Sequence, residues 1–439
     1  MLNQLHINDR KAMALQLRIP VERFDDLVES SNHVYEFLKI MGPFYGRDEI
    51  GDPTFRTTAS PVRLPVGSKA LLSTFGEDLL YLGRVLSKLP HRYKKMLGEG
   101  IDYRVPIAFR IDTILDKTGI IRANEVEGMD GASALMMIEQ LAYGLQSLNE
   151  TTVGRLISAL QKIYLISEDK PPLQIAIVRS DLEANPYSAN VRRFVELIHE
   201  VSKGTIECAL FDIDHLRTKS VIPDWSTYHV VLNETYFSPR ELYELGVSKQ
   251  QLLAAGNYNA LVNKGIFALI HEPVLKEFWI NEIGNARFER LAQLIIPSRF
   301  ISTDEELHVA RDAGKVVKVT WGDDMAVANR SQGVALPIGD VTQSSEERWE
   351  FLHTCLRNGY TMIAQDFVEP ALIHAYLRKK GTSLESVEWY NRICVKYVVD
   401  GNSNAEVVPE VNITATEVTL GPDVIPAGRK CAFTAGLLT

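Results

Sequence analysis

The sequence predicts a mixed fold, α+β and α/β together, in two or three domains. Three observations predict it. The first 168 residues carry helical periodicity interrupted by one pair of short strands. After Asp169-Lys170-Pro171-Pro172 the pattern changes to strand–helix–strand. From Ile393 the chain is rich in strands. At 439 residues it is long enough for several cores, and 46% hydrophobic with 23% charged residues is an ordinary globular composition.

Each region follows from its pattern. Val21 to Met41 places Phe24, Leu27, Val34, Phe37 and Leu38 at helical spacing, so residues 1 to about 50 read as helices. A loop with proline and glycine runs from Gly51 to Gly67, and Glu77 to Leu97 is helical again, broken near Pro90. Two strands lie between Phe109 and Gly128. Helices follow from about Ala132 to Leu148 and from Val153 to Ile166. Residues 1–168 are thus a first unit of helices plus one strand pair. Residues 169–240 form a second, Rossmann-like unit: strand Leu173–Val178, helix Asn185–Val201, and strands Ile206–Phe211 and Tyr228–Leu232. Ligands of such units sit at the carboxyl ends of the strands, where Arg179–Asn185 falls. That loop lacks GxGxxG, so it is read as an ordinary connection with Asp181 or Asn185 as a cap. Residues 241–439 form the rest. They begin with helical stretches near Pro239–Leu245 and Leu252–His271, continue as an α/β region to about residue 380, and end in strands Ile393–Val399 and Val411–Leu420.

A net charge of −9 and a pI of about 5.7 argue against nucleic acid or an anionic membrane as the main partner. Cys208, Cys355, Cys394 and Cys431 are widely spaced, with no CxxC pair. That argues against a disulfide framework or a zinc site, and each cysteine reads as a small buried apolar residue. No signal peptide is visible after Met1, and no apolar run approaches the ~20 residues of a membrane helix. A cytoplasmic location is expected. GxxxxGK[ST], HExxH and GxSxG are absent, and His271, His353 and His374 are isolated.

The segment richest in chemistry is Phe109 to Gly128. Arg110 and Asp112 lie on one strand, and Glu125 and Glu127 on the next. Side chains alternate across a strand, so each pair shares a face. If Lys117-Thr118 makes a two-residue turn, all four lie on one face. If Gly119 adds a bulge, the two pairs fall on opposite faces. Carboxylates beside an arginine suit a metal–nucleotide pair, because Mg²⁺ on a nucleotide needs one or two carboxylates and an arginine holds phosphate by a fork. The plainer reading is a surface hairpin with solvated charges.

Arg-x-Asp, a turn, Glu-x-Glu, then a loop and a helix resemble the metal-binding strands of ATP-grasp enzymes. The resemblance is closest to the circularly permuted group that includes glutathionylspermidine synthase, in its synthetase part, with a small pre-ATP-grasp unit. It covers about residues 105–400. That group usually has Glu-x-Asn where this chain has Glu125-Val126-Glu127. The resemblance implies Asp112, Glu125 and Glu127 as ligands of Mg²⁺. It implies Lys264, in Asn263-Lys264, and Lys318, ending Val-Val-Lys, as ATP-phosphate contacts, with Arg110 and Lys318 in a catalytic role. Gln365 and Asp366 match the adenine hinge, and about 295–370 the nucleotide-covering subdomain. Lys315 lies on the other face of its strand and is expected in solvent. The segment Gly322–Val334 takes the place of the phosphate-covering loop, but has only Gly322 and Gly333 and carries Asp323 and Asp324.

Metal strands, small unit, lysines and hinge occur in the permuted order. The implied activity is ATP-dependent joining of a small-molecule carboxylate to an amine through an acyl phosphate, releasing ADP. The alternatives are a nucleotide- or partner-binding protein of the same fold without turnover, and a scaffold whose acidic hairpin is structural. A homodimer is the base-rate expectation for an enzyme of this size.

Overall fold

The computed structural model describes residues 7–41, 56–128, 133–166, 170–179, 188–218, 220–233, 239–254, 258–321, 345–378, 384–401, 409–422 and 432–439. The expected phosphate-covering loop, Gly322–Val334, the loop from Ser180 to Asn185 and Cys431 lie outside them.

Helices α1 (Ile7–Gln16) and α2 (Val21–Met41) pack together around Ala14, Phe24 and Val28. Short strands β1 (Arg56–Thr57) and β2 (Val62–Arg63) lead into α3 (Ser68–Val85) and α4 (His91–Leu97). Helix α3 begins well before Glu77, where the sequence pattern placed it. Ser73-Thr74-Phe75-Gly76 are weak helix formers, and burial of Leu72, Phe75 and Leu79 overrides them. Strands β3 (Ala108–Leu115) and β4 (Ile121–Gly128) are followed by α5 (Ser133–Ala142) and α6 (Thr152–Tyr164). Helix α5 stops short of Leu148 because the chain turns at Gly144, whose φ is +65°.

The second region alternates β5 (Leu173–Arg179), α7 (Ser188–Ser202), β6 (Ile206–Asp212), α8 (Ile213–Arg217), β7 (Val230–Asn233), α9 (Pro239–Glu244) and β8 (Leu252–Ala254). Its four strands are parallel, in the order β6-β5-β7-β8. Strand β5 is covered on both faces, which is why Ile175-Ala176-Ile177-Val178 reads as an unbroken apolar run. Strand β8 corrects the sequence reading. Leu252–Ala254 lies within the predicted helical stretch but completes this sheet, and helix resumes only at Gly265. Short apolar runs do not distinguish the two states.

Helices α10 (Gly265–His271), α11 (Lys276–Ile283) and α12 (Asn285–Leu294) come next. Strands β9 (Ser298–Ile301), β10 (Val316–Trp321) and β11 (Thr361–Gln365) form an antiparallel sheet ordered β10-β11-β9. Helices α13 (Asp304–Asp312) and α14 (Ser345–Arg357) share its core. The chain ends in β12 (Leu372–Arg378), β13 (Leu384–Asp400), β14 (Glu410–Gly421) and β15 (Ala432–Leu437).

These last strands join β3 and β4 in the central sheet, ordered β1-β15-β14-β13-β3-β4, with β12 also on β13 and β2 on β15. Its two faces differ. One presents Phe109, Ile111, Val395, Tyr397, Val418 and Leu420 to a core shared with α3 and α10–α12. There Tyr397 stacks on Phe109 and donates its hydroxyl to the Leu72 carbonyl (2.9 Å). A Cβ at Gly76 would run into the Tyr397 ring, so α3 has a glycine at the point of closest approach. The other face carries Arg110, Asp112, Arg392, Cys394, Lys396, Glu417 and Thr419, as the pairing of β3, β13 and β14 requires. Helices α5 and α6 close its apolar end at Ala108 and Val398.

Candidate active site

The β3–β4 turn combines the two possibilities left open by the sequence. A three-residue loop, Lys117–Gly119, closes it. The Gly119 N–H donates to the Asp116 carbonyl (2.9 Å) with φ at +85°, and the Asp116 N–H donates to Ile120 (2.9 Å). That extra residue alone would put the two charged pairs on opposite faces. The register shifts again at Asn124, so that Asp112 faces Glu125 and Arg110 faces Glu127. Two one-residue offsets restore a period-two pattern, and all four side chains return to one face.

Asn124 is the residue pushed out of the ladder, and its carbonyl becomes a docking point. Lys318 Nζ donates to it (2.7 Å), and Gln365 Nε2 approaches it (3.5 Å) while donating to Ser298 (3.3 Å). The bulge therefore ties the β9–β11 sheet to the central sheet and brings Lys318 over Glu125 (4.0 Å). Lys264 reaches Glu125 from the start of α10 (3.0 Å). Asn263 sets that position: its Oδ1 accepts from the Gly265 N–H (2.8 Å), and its Nδ2 donates to the Leu97 carbonyl (2.7 Å).

Arg110 forks onto Asp112, with Nε to Oδ1 at 2.7 Å and Nη2 to Oδ2 at 3.2 Å, and also bonds Glu127. Arg392 stands on the far side of Asp112 (3.9 Å). Burial pushes the Asp112 carboxyl up, but Arg110 and Arg392 outweigh it and hold it below its ordinary value. Burial likewise opposes ionisation of Glu125, and Lys264 with Lys318 overcomes it, so Glu125 is also lowered. Glu127 goes the other way. Burial together with the neighbouring Asp112 and Glu125 charges exceeds the help from Arg110, and its carboxyl is raised. The Lys318 ammonium is lowered, by burial first and then by Lys264.

The structure thus gathers Arg110, Asp112, Glu125, Glu127, Lys264, Lys318 and Gln365, which span residues 110 to 365. It leaves Asp366 out. The Asp366 side chain pairs with Lys315, and its backbone N–H is taken by the Pro297 carbonyl (2.8 Å). Lys315, expected in solvent, is half-buried in that pair.

Arg392 and Cys394, which adjoin Asp112, were missed as site residues. Arg392, Cys394 and Lys396 alternate with Ile393, Val395 and Tyr397, and that alternation was the available signal. Cys394 is buried and bonds Asp112; burial, then the Asp112 charge, raises its thiol well above the ordinary value, which disfavours the thiolate. Among the described residues no three His, Cys, Asp or Glu side chains converge as a metal-binding group, and no helix is long and apolar enough to cross a membrane.

No protein-family model and no curated protein matches the chain. Solved structures do. A glutathione synthetase-like effector from Globodera pallida, in apo form, superposes with a TM-score of 0.56 at 11% identity, over 96% of this chain and 98% of that one. A protein from Methylobacillus flagellatus KT, provisionally named gamma-glutamylcysteine synthetase, covers 84% of this chain and 85% of its own at 10% identity. Its TM-score of 0.39 is too low to imply a shared fold. The fold is therefore glutathione synthetase-like, a mixed α/β architecture with several sheets.

Proposed function

We propose that the protein is an ATP-dependent carboxylate–amine ligase of the circularly permuted ATP-grasp type. One observation carries the reading: a doubly bulged hairpin, a helix start and a strand from another sheet converge to set Lys264 and Lys318 on Glu125, beside Arg110. ATP is the co-substrate. Glu125 and Glu127 are hard oxygen donors on one face, which fits the one or two carboxylates that Mg²⁺ on a nucleotide takes. When bound, the ion would neutralise charge between the phosphates. Asp112, expected as a third ligand, has both oxygens on Arg110 and serves in this reading to orient it.

Arg110, Lys264 and Lys318 then offset charge on the transferring phosphoryl group, a largely electrostatic task. A substrate carboxylate oxygen bonds the γ-phosphorus as its bond to the bridging oxygen breaks, leaving ADP. The amine nitrogen then bonds the acyl carbon, phosphate departs, and the amine loses a proton. No protein nucleophile is needed.

The test is thermal-shift titration with MgATP on the wild type, Lys318→Ala and Glu125→Gln. Ligands that bind only the folded state raise its stability. A Mg²⁺-dependent rise lost in both variants supports the site, and no rise at millimolar MgATP removes the reading. A second reading, nucleotide binding without turnover, is favoured by internal neutralisation: each cluster cation named here already has a protein carboxylate. ADP release with panels of acids and amines separates the two.

A further inference from the structure

Two buried carboxylates have no part in that chemistry. Glu139 lies on α5, within Met136-Met137-Ile138-Glu139-Gln140, and is 1% exposed. Glu417 lies on β14, against which α5 packs, and is 4% exposed. Among the described residues neither oxygen of Glu139 has a hydrogen-bond partner, and nor does Oε2 of Glu417. The remaining oxygen accepts a long contact from the Thr419 hydroxyl (3.4 Å). Nε of Arg392, on the neighbouring strand, is also buried and unpartnered. Unpaired polar atoms are costly in an interior, and two such carboxylates on packed elements, the charge of Glu417 felt at Glu139, call for a ligand.

The kind of ligand follows from the atoms. Three unpartnered carboxylate oxygens equal in number the three N–H donors of a primary ammonium group. A divalent metal fits less well, since the described residues give no third carboxylate, histidine or cysteine ligand. The Arg392 donor stands ready for an anionic group on the same molecule. Location ties the pair to the cluster. Glu417 pairs across β13 with Cys394, and Cys394 with Asp112, so two strand spacings of about 5 Å separate Glu417 from Asp112. The face reaches solvent at Arg392 and Glu127, whose side chains are 30% and 24% exposed.

We infer that Glu139 and Glu417 form a subsite for a primary ammonium group of the substrate, about 10 Å along the sheet from the phosphoryl cluster. Its role in substrate binding rests on the ligase reading; its preference for an ammonium cation rests on the unpartnered oxygens.

The experiment is a thermal-shift titration of the intact protein with n-propylammonium chloride. Potassium chloride and tetramethylammonium chloride at equal ionic strength are the controls, and MgATP is titrated separately. Glu139→Gln and Glu417→Gln are isosteric and remove a buried charge, so folding is retained. The inference expects stabilisation by n-propylammonium alone, weakened roughly 30-fold or more in each variant, with Glu139→Gln responding to MgATP as the wild type does. It is overturned if the wild type does not respond, if potassium or tetramethylammonium acts equally, or if Glu139→Gln keeps the response. Failure of the wild type to respond to MgATP overturns the ligase reading but leaves the ammonium result to stand or fall alone.

Discussion

Two ends of one sheet face hold carboxylates and treat them differently. At the β3–β4 end, Asp112 and Glu125 are surrounded by Arg110, Arg392, Lys264 and Lys318, and both carboxyls are held low. At the β14 end, burial raises Glu139 well above its ordinary value, with the Glu417 charge adding to it; Glu417 is raised too, by burial that Arg392 and Arg110 do not offset. Burial alone therefore does not set protonation. The balance of neighbouring cations and anions does, and it divides the face into a charged half, where of the three hairpin carboxyls only Glu127 is raised, and a half that favours protonated acids or a bound cation.

The sharpest way to break this comparison is to remove a cation from the charged half. Arg110→Ala leaves the buried Asp112 without its main partner, and breaking such a pair costs about 3–5 kcal/mol. Urea denaturation should show that loss at pH 7. The pH dependence carries a sign. A carboxyl held below its unfolded value adds stability above that value and loses it as pH falls through the folded one. Asp112 and Glu125 should thus give the wild type a steep loss of stability below the ordinary carboxylate range, and Arg110→Ala should flatten it. An unchanged slope would mean the charges are not coupled as drawn.

The opposite face gives the next largest effect. Gly76→Ala drives a methyl group into the Tyr397 ring, and overpacking of this kind costs about 1–3 kcal/mol. A drop in the urea midpoint with the MgATP response intact would separate packing from the site. Loss of that response would show that the two faces are linked through β13.

How much of this was legible beforehand follows the same division. The hairpin was legible because Arg-x-Asp and Glu-x-Glu repeat at strand spacing close together in sequence. Its register was not, because two bulges offset one another, and no local rule requires the second at Asn124. Strand β8 was missed because three apolar residues gain strand pairing only when β7 lies beside them. Glu139 reads as one acid in an amphipathic helix, and its burial depends on a sheet completed more than 250 residues later, by Glu417 and Ala435. Asp366 was read as a nucleotide contact by its place after β11, while its actual partner, Lys315, lies on another segment.

Glu139 tests the uncharged half without ligand. Its folded carboxyl is raised, so the stabilising protonated state is fully present below the unfolded value and is lost as pH rises through the folded one. Glu139→Gln abolishes that loss. In buffer free of primary amines, the variant's melting temperature should exceed the wild type's by an amount that grows from pH 5 to pH 8. A constant difference would place Glu139 among ordinary ionised residues and erase the contrast between the two halves.

The smallest effect separates two lysines only three residues apart. Lys318 is largely buried at the Asn124 carbonyl and Glu125, whereas the Lys315–Asp366 pair has side chains 31% and 44% exposed. Exposed pairs contribute about 0–1 kcal/mol, because water screens the attraction and both side chains lose freedom. Lys315→Ala should therefore leave stability within about 1 kcal/mol of the wild type. The MgATP midpoint shift should also be unaltered, while Lys318→Ala abolishes it. If Lys315→Ala also weakened the MgATP response, the Lys315–Asp366 pair would be part of the nucleotide site after all. The resemblance would then have placed the hinge correctly and the lysine face wrongly.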